Sequence, residues 1–309
     1  MRLAGLWPAL LTPLHDDLSV DDRALRALVE DLISRGVDGV VPLGSTGEFT
    51  EFDATERRAI LDTVVGAADG RVPVLAGVSG LSTRETCVHA AQAREAGADA
   101  VLVLPPLYWK VSDDRIVDHV AQVADAAGLP VVVYDFPALT MQPLTPAVLA
   151  RLASEVPAVI GAKLTVRDLM AITAALTAVR VHRPDFAVVT GFEDLVVGAM
   201  WAGADGAVSG MANVIPDEMV ALVAAVRDNN DDLAERYRTV LDAFDVYGLS
   251  LPAIPGLKAA AAAIGRIPRA AARLNAGPAT EVAEAGKRWA AEHATTADAR
   301  GTTERDDTA

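Results

Sequence analysis

Lys163 closes the apolar run Val159-Ile160-Gly161-Ala162-Lys163-Leu164-Thr165 and is the residue best suited by position to covalent chemistry. The run follows Pro157 and precedes a helix-like segment, which predicts a buried parallel strand with the lysine at its C-terminal end. Only four of the 27 basic residues are lysines (Lys110, Lys163, Lys258 and Lys287), so arginine supplies most of the positive charge and Lys163 needs its own explanation. Burial disfavours an ammonium group, and a free amine attacks a ketone to form a Schiff base. The plainer alternative is a strand-end lysine that reaches solvent or pairs with a carboxylate.

Positioning such a lysine requires a sheet, and the chain supplies one in pieces. Short β-like runs at 6–10, 39–43, 72–78, 100–104, 130–136, 159–164, 186–190 and 206–208 alternate with amphipathic segments rich in Ala, Leu, Arg and Glu. Helices are expected to start near Asp21, Asp53, Ser82, Ser112, Thr145, Val166, Glu193 and Pro216, several of them at residues suited to capping. The repeated Gly36-Val37-Asp38, Gly97-Ala98-Asp99 and Gly203-Ala204-Asp205 mark helix ends that lead back into strands. About eight βα units in alternation predict an α/β fold, a (β/α)8 TIM barrel, with function on the loops after the strands. The expected division is a catalytic barrel over 1–228, a C-terminal helical bundle over 229–293 and a disordered tail over 294–309.

A barrel gathers the C-terminal ends of its strands around one mouth. There the sequence puts Gly44-Ser45-Thr46-Gly47-Glu48, a turn whose hydroxyls and backbone N–H groups suit a carboxylate or phosphate. The same mouth receives Pro105-Pro106-Leu107-Tyr108-Trp109-Lys110, Tyr134-Asp135-Phe136-Pro137, Lys163 with Thr165, Gly191-Phe192-Glu193-Asp194 and Ser209-Gly210-Met211-Ala212-Asn213. Each piece alone is weak, since strand-end tyrosines often only pack. Their joint arrival is the signal.

Composition narrows the chemistry further. The chain has 309 residues, is 51% hydrophobic and carries a net charge of −15, which argues against nucleic acid or another polyanion as partner. Its apolar runs fall short of the roughly 20 residues that span a bilayer, and the start does not read as a secretory signal, so a cytoplasmic, non-membrane protein is expected. Cys87 is the only cysteine and reads as a structural helix residue, while the five histidines show no ligand spacing; no metal is expected.

Gly44-Ser45-Thr46-Gly47-Glu48, then Tyr134-x-x-Pro137, then Gly161-x-Lys163 together resemble the dihydrodipicolinate synthase and N-acetylneuraminate lyase family of class I, pyruvate-dependent aldolases, from about residue 5 to 292. The resemblance implies a Schiff base between Lys163 and pyruvate, Tyr134 as proton shuttle, and Ser45 and Thr46 holding the pyruvate carboxylate and relaying the proton. It implies that Tyr108 reaches a neighbouring site across a dimer interface in a homodimer or tetramer, and that the Val208 carbonyl lies near the tyrosine and lysine. No cofactor is implied, because the lysine iminium is the electron sink.

The departures bear on substrate. The synthase branch carries an arginine that holds the carboxylate of aspartate semialdehyde; Leu139 stands at that position here, so this chain lacks the clamp. Thr165 after Lys163-Leu164 looks like the lyase and sugar-acid aldolase branches, and Gly191-Phe192-Glu193-Asp194 is similar to the lyase pattern with its acids exchanged. Asp135 replaces a common asparagine, and Arg167 is a cation within reach of replacing the missing clamp. The first expectation is an aldolase for 2-keto-3-deoxy sugar acids made from pyruvate and a neutral hydroxyaldehyde, with Gly191, Thr165, Glu193 and Asp194 around the aldehyde end. N-acetylneuraminate cleavage comes second and 4-hydroxy-tetrahydrodipicolinate synthesis third. Two readings from other classes remain: a ketoacid-binding regulator without turnover, and a phosphate-binding barrel suggested by Gly203-Ala204-Asp205-Gly206.

Overall fold

Valine, leucine and alanine fill the short runs that become strands, and in the computed structural model of the chain they are buried along nearly their whole length. The structure describes residues 1–230, 233–247, 254–274 and 284. Strands β1 (Gly5–Pro8), β2 (Leu75–Gly77), β3 (Ala100–Val103), β4 (Val131–Asp135), β5 (Val159–Leu164), β6 (Ala187–Thr190) and β7 (Gly206–Ser209) form one parallel sheet in the order β1-β7-β6-β5-β4-β3-β2. Helices α1 (Asp22–Ser34), α2 (Ala54–Ala68), α3 (Thr83–Ala96), α4 (Asp113–Ala127), α5 (Pro137–Thr140) and α6 (Pro146–Glu155) alternate with the first strands. Later come α7 (Leu169–Arg180), α8 (Val196–Trp201), α9 (Pro216–Asp228), α10 (Leu233–Tyr247) and α11 (Ile254–Ala263). Burial on both faces suits continuous apolar runs, as expected where helices cover a parallel sheet.

The expected strand at 39–43 is reduced to isolated parallel bridges, Ala9 with Val41 and Val40 with Val74. It still closes the ring: Val41 N–H donates to Pro8 O (2.9 Å), and Leu75 N–H to Val40 O (2.9 Å). Prolines explain the missing ladder, because Pro8, Pro42 and Pro73 lack the N–H that regular pairing needs, and Leu43 then leaves the strand at φ 56°. The eighth position of the barrel is therefore a bridged segment, and the fold is the (β/α)8 barrel with C-terminal helices.

The expected caps act as caps. Side chains of Asp21, Asp53, Ser82, Ser112 and Thr145 accept backbone N–H groups of α1, α2, α3, α4 and α6, and Asp53 with Glu56 completes a capping box. Two starts differ. Helix α7 begins at Leu169, capped by Asp168 rather than starting near Val166, and the segment at Glu193 is a 3-10 turn (Glu193–Leu195) before α8. Thr165, Arg167, Glu193 and Asp194 thus lie at the mouth rather than inside long helices.

The Gly-x-Asp repeat has one structural job at the opposite end of the barrel. Gly36, Gly97 and Gly203 take φ of 87°, 91° and 110°, and the aspartates two residues on accept the N–H of Leu6, Val74 and Val188 at 2.8, 2.8 and 2.9 Å. Asp205 also accepts from Arg180 at 3.1 Å. The feature that suggested a phosphate site therefore belongs to strand starts, away from the mouth.

Helix α10 packs on α9 and on the Glu193–Leu195 turn, and α11 packs on the Met211–Asn213 turn, so the C-terminal helices lean over the strand ends. The part of the expected helical bundle beyond residue 274, apart from residue 284, and the tail expected over 294–309 lie outside the described residues. Among the described residues no helix is long and apolar enough to cross a membrane, and no group of three or more His, Cys, Asp or Glu is placed to hold a metal ion. Cys87 is half-buried in α3 against the core, and burial pushes its thiol pKa up.

Candidate active site

Strand register brings the chemistry together first. Tyr134 on β4 pairs directly with Lys163 on β5, and both side chains are buried, Lys163 being 5% exposed. The Lys163 Nζ sits 4.0 Å from the centre of the Tyr134 ring. Among the described residues Lys163 has no carboxylate partner, so neither solvent nor an ion pair accounts for this lysine. The Ser45 hydroxyl lies 3.4 Å from the Tyr134 hydroxyl, with either oxygen able to donate.

The turn carrying Ser45 and Thr46 is fixed from several sides. Gly47 N–H donates to Gly44 O (3.1 Å), Glu48 N–H to Ser45 O (3.1 Å), and Thr12 Oγ1 to Gly47 O (2.9 Å). Buried Arg57 donates to Phe49 O (2.9 Å) and Gly77 O (3.0 Å), and burial lowers its pKa to about 10, which leaves it charged at neutral pH. Glu48 has a left-handed φ of 56° and forms a completely buried ion pair with Lys258 of α11. Its second oxygen accepts the N–H groups of Arg273 (2.7 Å) and Leu274 (2.9 Å), while Lys258 Nζ donates to Ala271 O (2.8 Å). Burial pushes the Lys258 pKa down, the nearby Glu48 carboxylate opposing it. Thr46 sits against Gly210: a Cβ there would lie 3.4 Å from Thr46 Oγ1 and 3.2 Å from Leu257.

Above the lysine the site opens toward a second half. A Cβ on Gly191 would come within 1.9 Å of Thr165 Oγ1 and 3.1 Å of Lys163 Cε, so only glycine lets this loop approach. Thr165 Oγ1 is buried with no hydrogen-bond partner. The Phe136 ring stacks 5.9 Å from Tyr134, Phe192 meets Phe136 edge-on at 6.3 Å, and the Arg167 guanidinium lies 4.4 Å over Phe192. Arg167 is ion-paired with Asp194 Oδ2, the Asp194 carbonyl accepts from Tyr237 of α10, and Asp194 Oδ1 is buried without a partner.

Not every expected residue reaches this cluster. Glu193 Oε1 accepts from Ser209 Oγ (2.8 Å) and Met211 N–H (3.1 Å), and burial pushes its pKa up. Its carboxylate thus braces the end of β7, which carries buried Val208, where a substrate ligand was expected. Asp135 is buried, accepts Leu144 N–H (3.0 Å) and has its pKa raised to about 6 by burial. Strand alternation puts it on the face opposite Tyr134. Leu139 on α5 is 54% exposed, and Tyr108 and Trp109 are 82% and 73% exposed, touching each other edge-on at 4.9 Å. Sequence reasoning passed over Glu48 with Lys258, Arg57, and the Phe136-Phe192-Arg167 wall. The scarcity of lysine was a signal for Lys258 as much as for Lys163.

The closed parallel barrel gathers a buried amine, a phenol and a hydroxyl turn at its mouth. The chain belongs to the dihydrodipicolinate synthetase family, whose model matches residues 2–294, and it is a pyruvate-dependent lyase. It is 38% identical over 263 residues to the putative 2-dehydro-3-deoxy-D-gluconate aldolase YagE of Escherichia coli K12, covering 85% of this chain and 87% of that protein. The probable 2-dehydro-3-deoxy-D-pentonate aldolase YjhH of the same organism is 34% identical over 265 residues, 85% and 88% of the two chains. The 4-hydroxy-tetrahydrodipicolinate synthase of Salinibacter ruber is 38% identical over 269 residues, 86% and 87% of the two. The crystal structure of YagE in complex with pyruvate superposes with a TM-score of 0.89 at 35% identity, covering 94% of this chain and 99% of that one.

Proposed function

We propose that Lys163 forms a Schiff base with pyruvate and that the enzyme makes or cleaves 2-keto-3-deoxy sugar acids. The observation that carries this reading is a buried lysine amine against the Tyr134 ring, without a carboxylate partner among the described residues, beside a hydroxyl pair of Tyr134 and Ser45. Nζ adds to the pyruvate C2 carbonyl, and loss of water gives an iminium. The iminium withdraws electrons from C3, a proton leaves the methyl group, and the resulting enamine attacks the aldehyde carbon. Water then releases the product and the free lysine. Tyr134 carries the protons, Ser45 and Thr46 relay them and hold the pyruvate carboxylate, and the Val208 carbonyl faces the same chemistry. Tyr108 completes the site of a second subunit in a homodimer or dimer of dimers.

Identity alone favours neither aldolase nor synthase, since the two relatives share 38% each. The aldehyde end supports the aldolase. Leu139 offers no charge for a second carboxylate, Arg167 is already paired with Asp194, and Thr165 Oγ1 and Asp194 Oδ1 are unpartnered groups suited to substrate hydroxyls. Glu193 serves as a brace and Gly191 as the gap that admits Thr165.

Borohydride reduction with pyruvate followed by peptide mapping tests the first step: one pyruvate-derived adduct is expected at Lys163, and labelling of Lys110 or of nothing overturns it. Specificity constants for glyceraldehyde, N-acetylmannosamine and aspartate semialdehyde test the second. A preference of about tenfold or more for the semialdehyde, worth about 1.4 kcal/mol, overturns the sugar-acid reading.

A further inference from the structure

We propose that the Arg167–Asp194 ion pair is the selectivity device of the aldehyde end, cancelling the guanidinium that would otherwise recruit anionic aldehydes. The inference rests on the aldolase reading above and says how that site chooses its second substrate.

Three observations carry it. First, Arg167 lies at the strand end that bears Lys163, its guanidinium over Phe192, the residue after the Gly191 that closes on Thr165 and Lys163. It follows the β5 strand that bears Lys163, and it is linked to Tyr134 by a continuous aromatic wall: Tyr134 to Phe136 at 5.9 Å, Phe136 to Phe192 at 6.3 Å, Phe192 to the guanidinium at 4.4 Å. Second, Asp194 meets that charge with one oxygen. The side chains are 48% and 21% exposed, so the bond by itself is weak, but the arginine is also stacked on Phe192 and the aspartate is the more buried partner. Third, Asp194 is itself anchored. Its carbonyl accepts the Tyr237 hydroxyl of α10, so the C-terminal helix fixes the carboxylate at the mouth.

One carboxylate then performs two tasks. Oδ2 neutralises Arg167, and Oδ1, buried without a partner, remains an acceptor that a substrate hydroxyl satisfies together with Thr165 Oγ1. A neutral hydroxyaldehyde gains both contacts. An anionic aldehyde finds a quenched cation and an unpaired carboxylate oxygen, a combination that rejects it by repulsion.

The test is a cycle of D194N, R167M and the double variant, with specificity constants for glyceraldehyde and for succinic semialdehyde, a monoanionic aldehyde. D194N keeps the shape and removes the charge; D194S serves as a second variant should D194N misfold. The ratio of specificity constants is expected to move toward the anion by about tenfold or more in D194N and to return to near the wild-type ratio in the double variant. An unchanged ratio, or a shift that survives loss of Arg167, overturns the proposal. Calorimetric titration with succinate needs no turnover and reads the same charge: binding should tighten in D194N only while Arg167 is present, and equal affinities overturn the proposal. Borohydride trapping at Lys163 reports separately on the Schiff-base reading, so failure of that reading is seen independently.

Discussion

Neighbouring residues on β4 do opposite things because successive side chains of a strand face opposite ways. Tyr134 faces Lys163, and its hydroxyl meets Ser45. On the mechanism proposed above, Tyr134→Phe should therefore lower turnover by roughly 10²-fold or more with the melting temperature nearly unchanged, because it removes the proton carrier of that mechanism and little packing; near wild-type turnover would take Tyr134 out of the mechanism. Asp135 faces away and is buried with a pKa of about 6, raised by desolvation. The native state holds its proton more tightly than the unfolded chain, so charging Asp135 destabilises the fold as pH rises from about 4 through about 6. Asp135→Asn keeps an acceptor for Leu144 and should stabilise by about 1–3 kcal/mol at pH 8, the gain vanishing near pH 4. Comparing variants matters here, since His119, with a pKa lowered to about 4 by burial, works the other way by losing stability as pH falls from about 6.5. Equal melting-temperature differences at both pH values would sink the assignment. Lys163 was legible in sequence because a lysine ending an apolar run contradicts its surroundings. Glu193 was not, because two adjacent acids look alike until their partners are known.

At the scale of elements, the hydroxyl turn is held by something outside the ring of strands. Glu48 closes the turn in a left-handed conformation, and its carboxylate is buried against Lys258 of α11 and two backbone N–H groups beyond that helix. Arg273 adds a second tie, pairing with Glu56 and donating to Glu51 O at 2.7 Å. Lys258→Met leaves a buried carboxylate without its counter-ion, a loss of about 3–5 kcal/mol, whereas adding Glu48→Gln removes the stranded charge and should restore much of it. Denaturant unfolding of the two single variants and the double variant checks this; additive losses would mean the pair is not coupled. Helix caps were legible because Asp, Ser and Thr act through local geometry. The bridged segment at 39–43 was read as a full strand because apolar pattern outweighed the missing proline donors, and the tie through α11 spans some 210 residues, a separation no local pattern encodes.

On the whole-molecule scale, one face of the mouth is left with apolar groups in water. Tyr108, Trp109, Leu139 and Met141 are exposed, and the two segments that carry them are fastened together by Gln142, which accepts Val111 N–H (3.0 Å) and donates to Val111 O (2.7 Å). Tyr108 also holds a φ of 73°, a conformation costly for a side chain of its size and maintained only where surroundings impose it. An exposed aromatic pair, with Tyr108 held in a strained backbone, fits a group that inserts into a second copy, as aromatic anchors do at interface centres. On the assembly proposed above, Trp109→Glu places a charge in the contact between copies. It should give a monomer by light scattering and a loss of activity of about tenfold or more, with the circular dichroism of the barrel retained. Tyr108→Phe should leave assembly intact and lower turnover alone, since only the hydroxyl is lost. A wild-type protein that is monomeric at assay concentration and fully active would reject the shared site and leave Tyr108 as a surface residue.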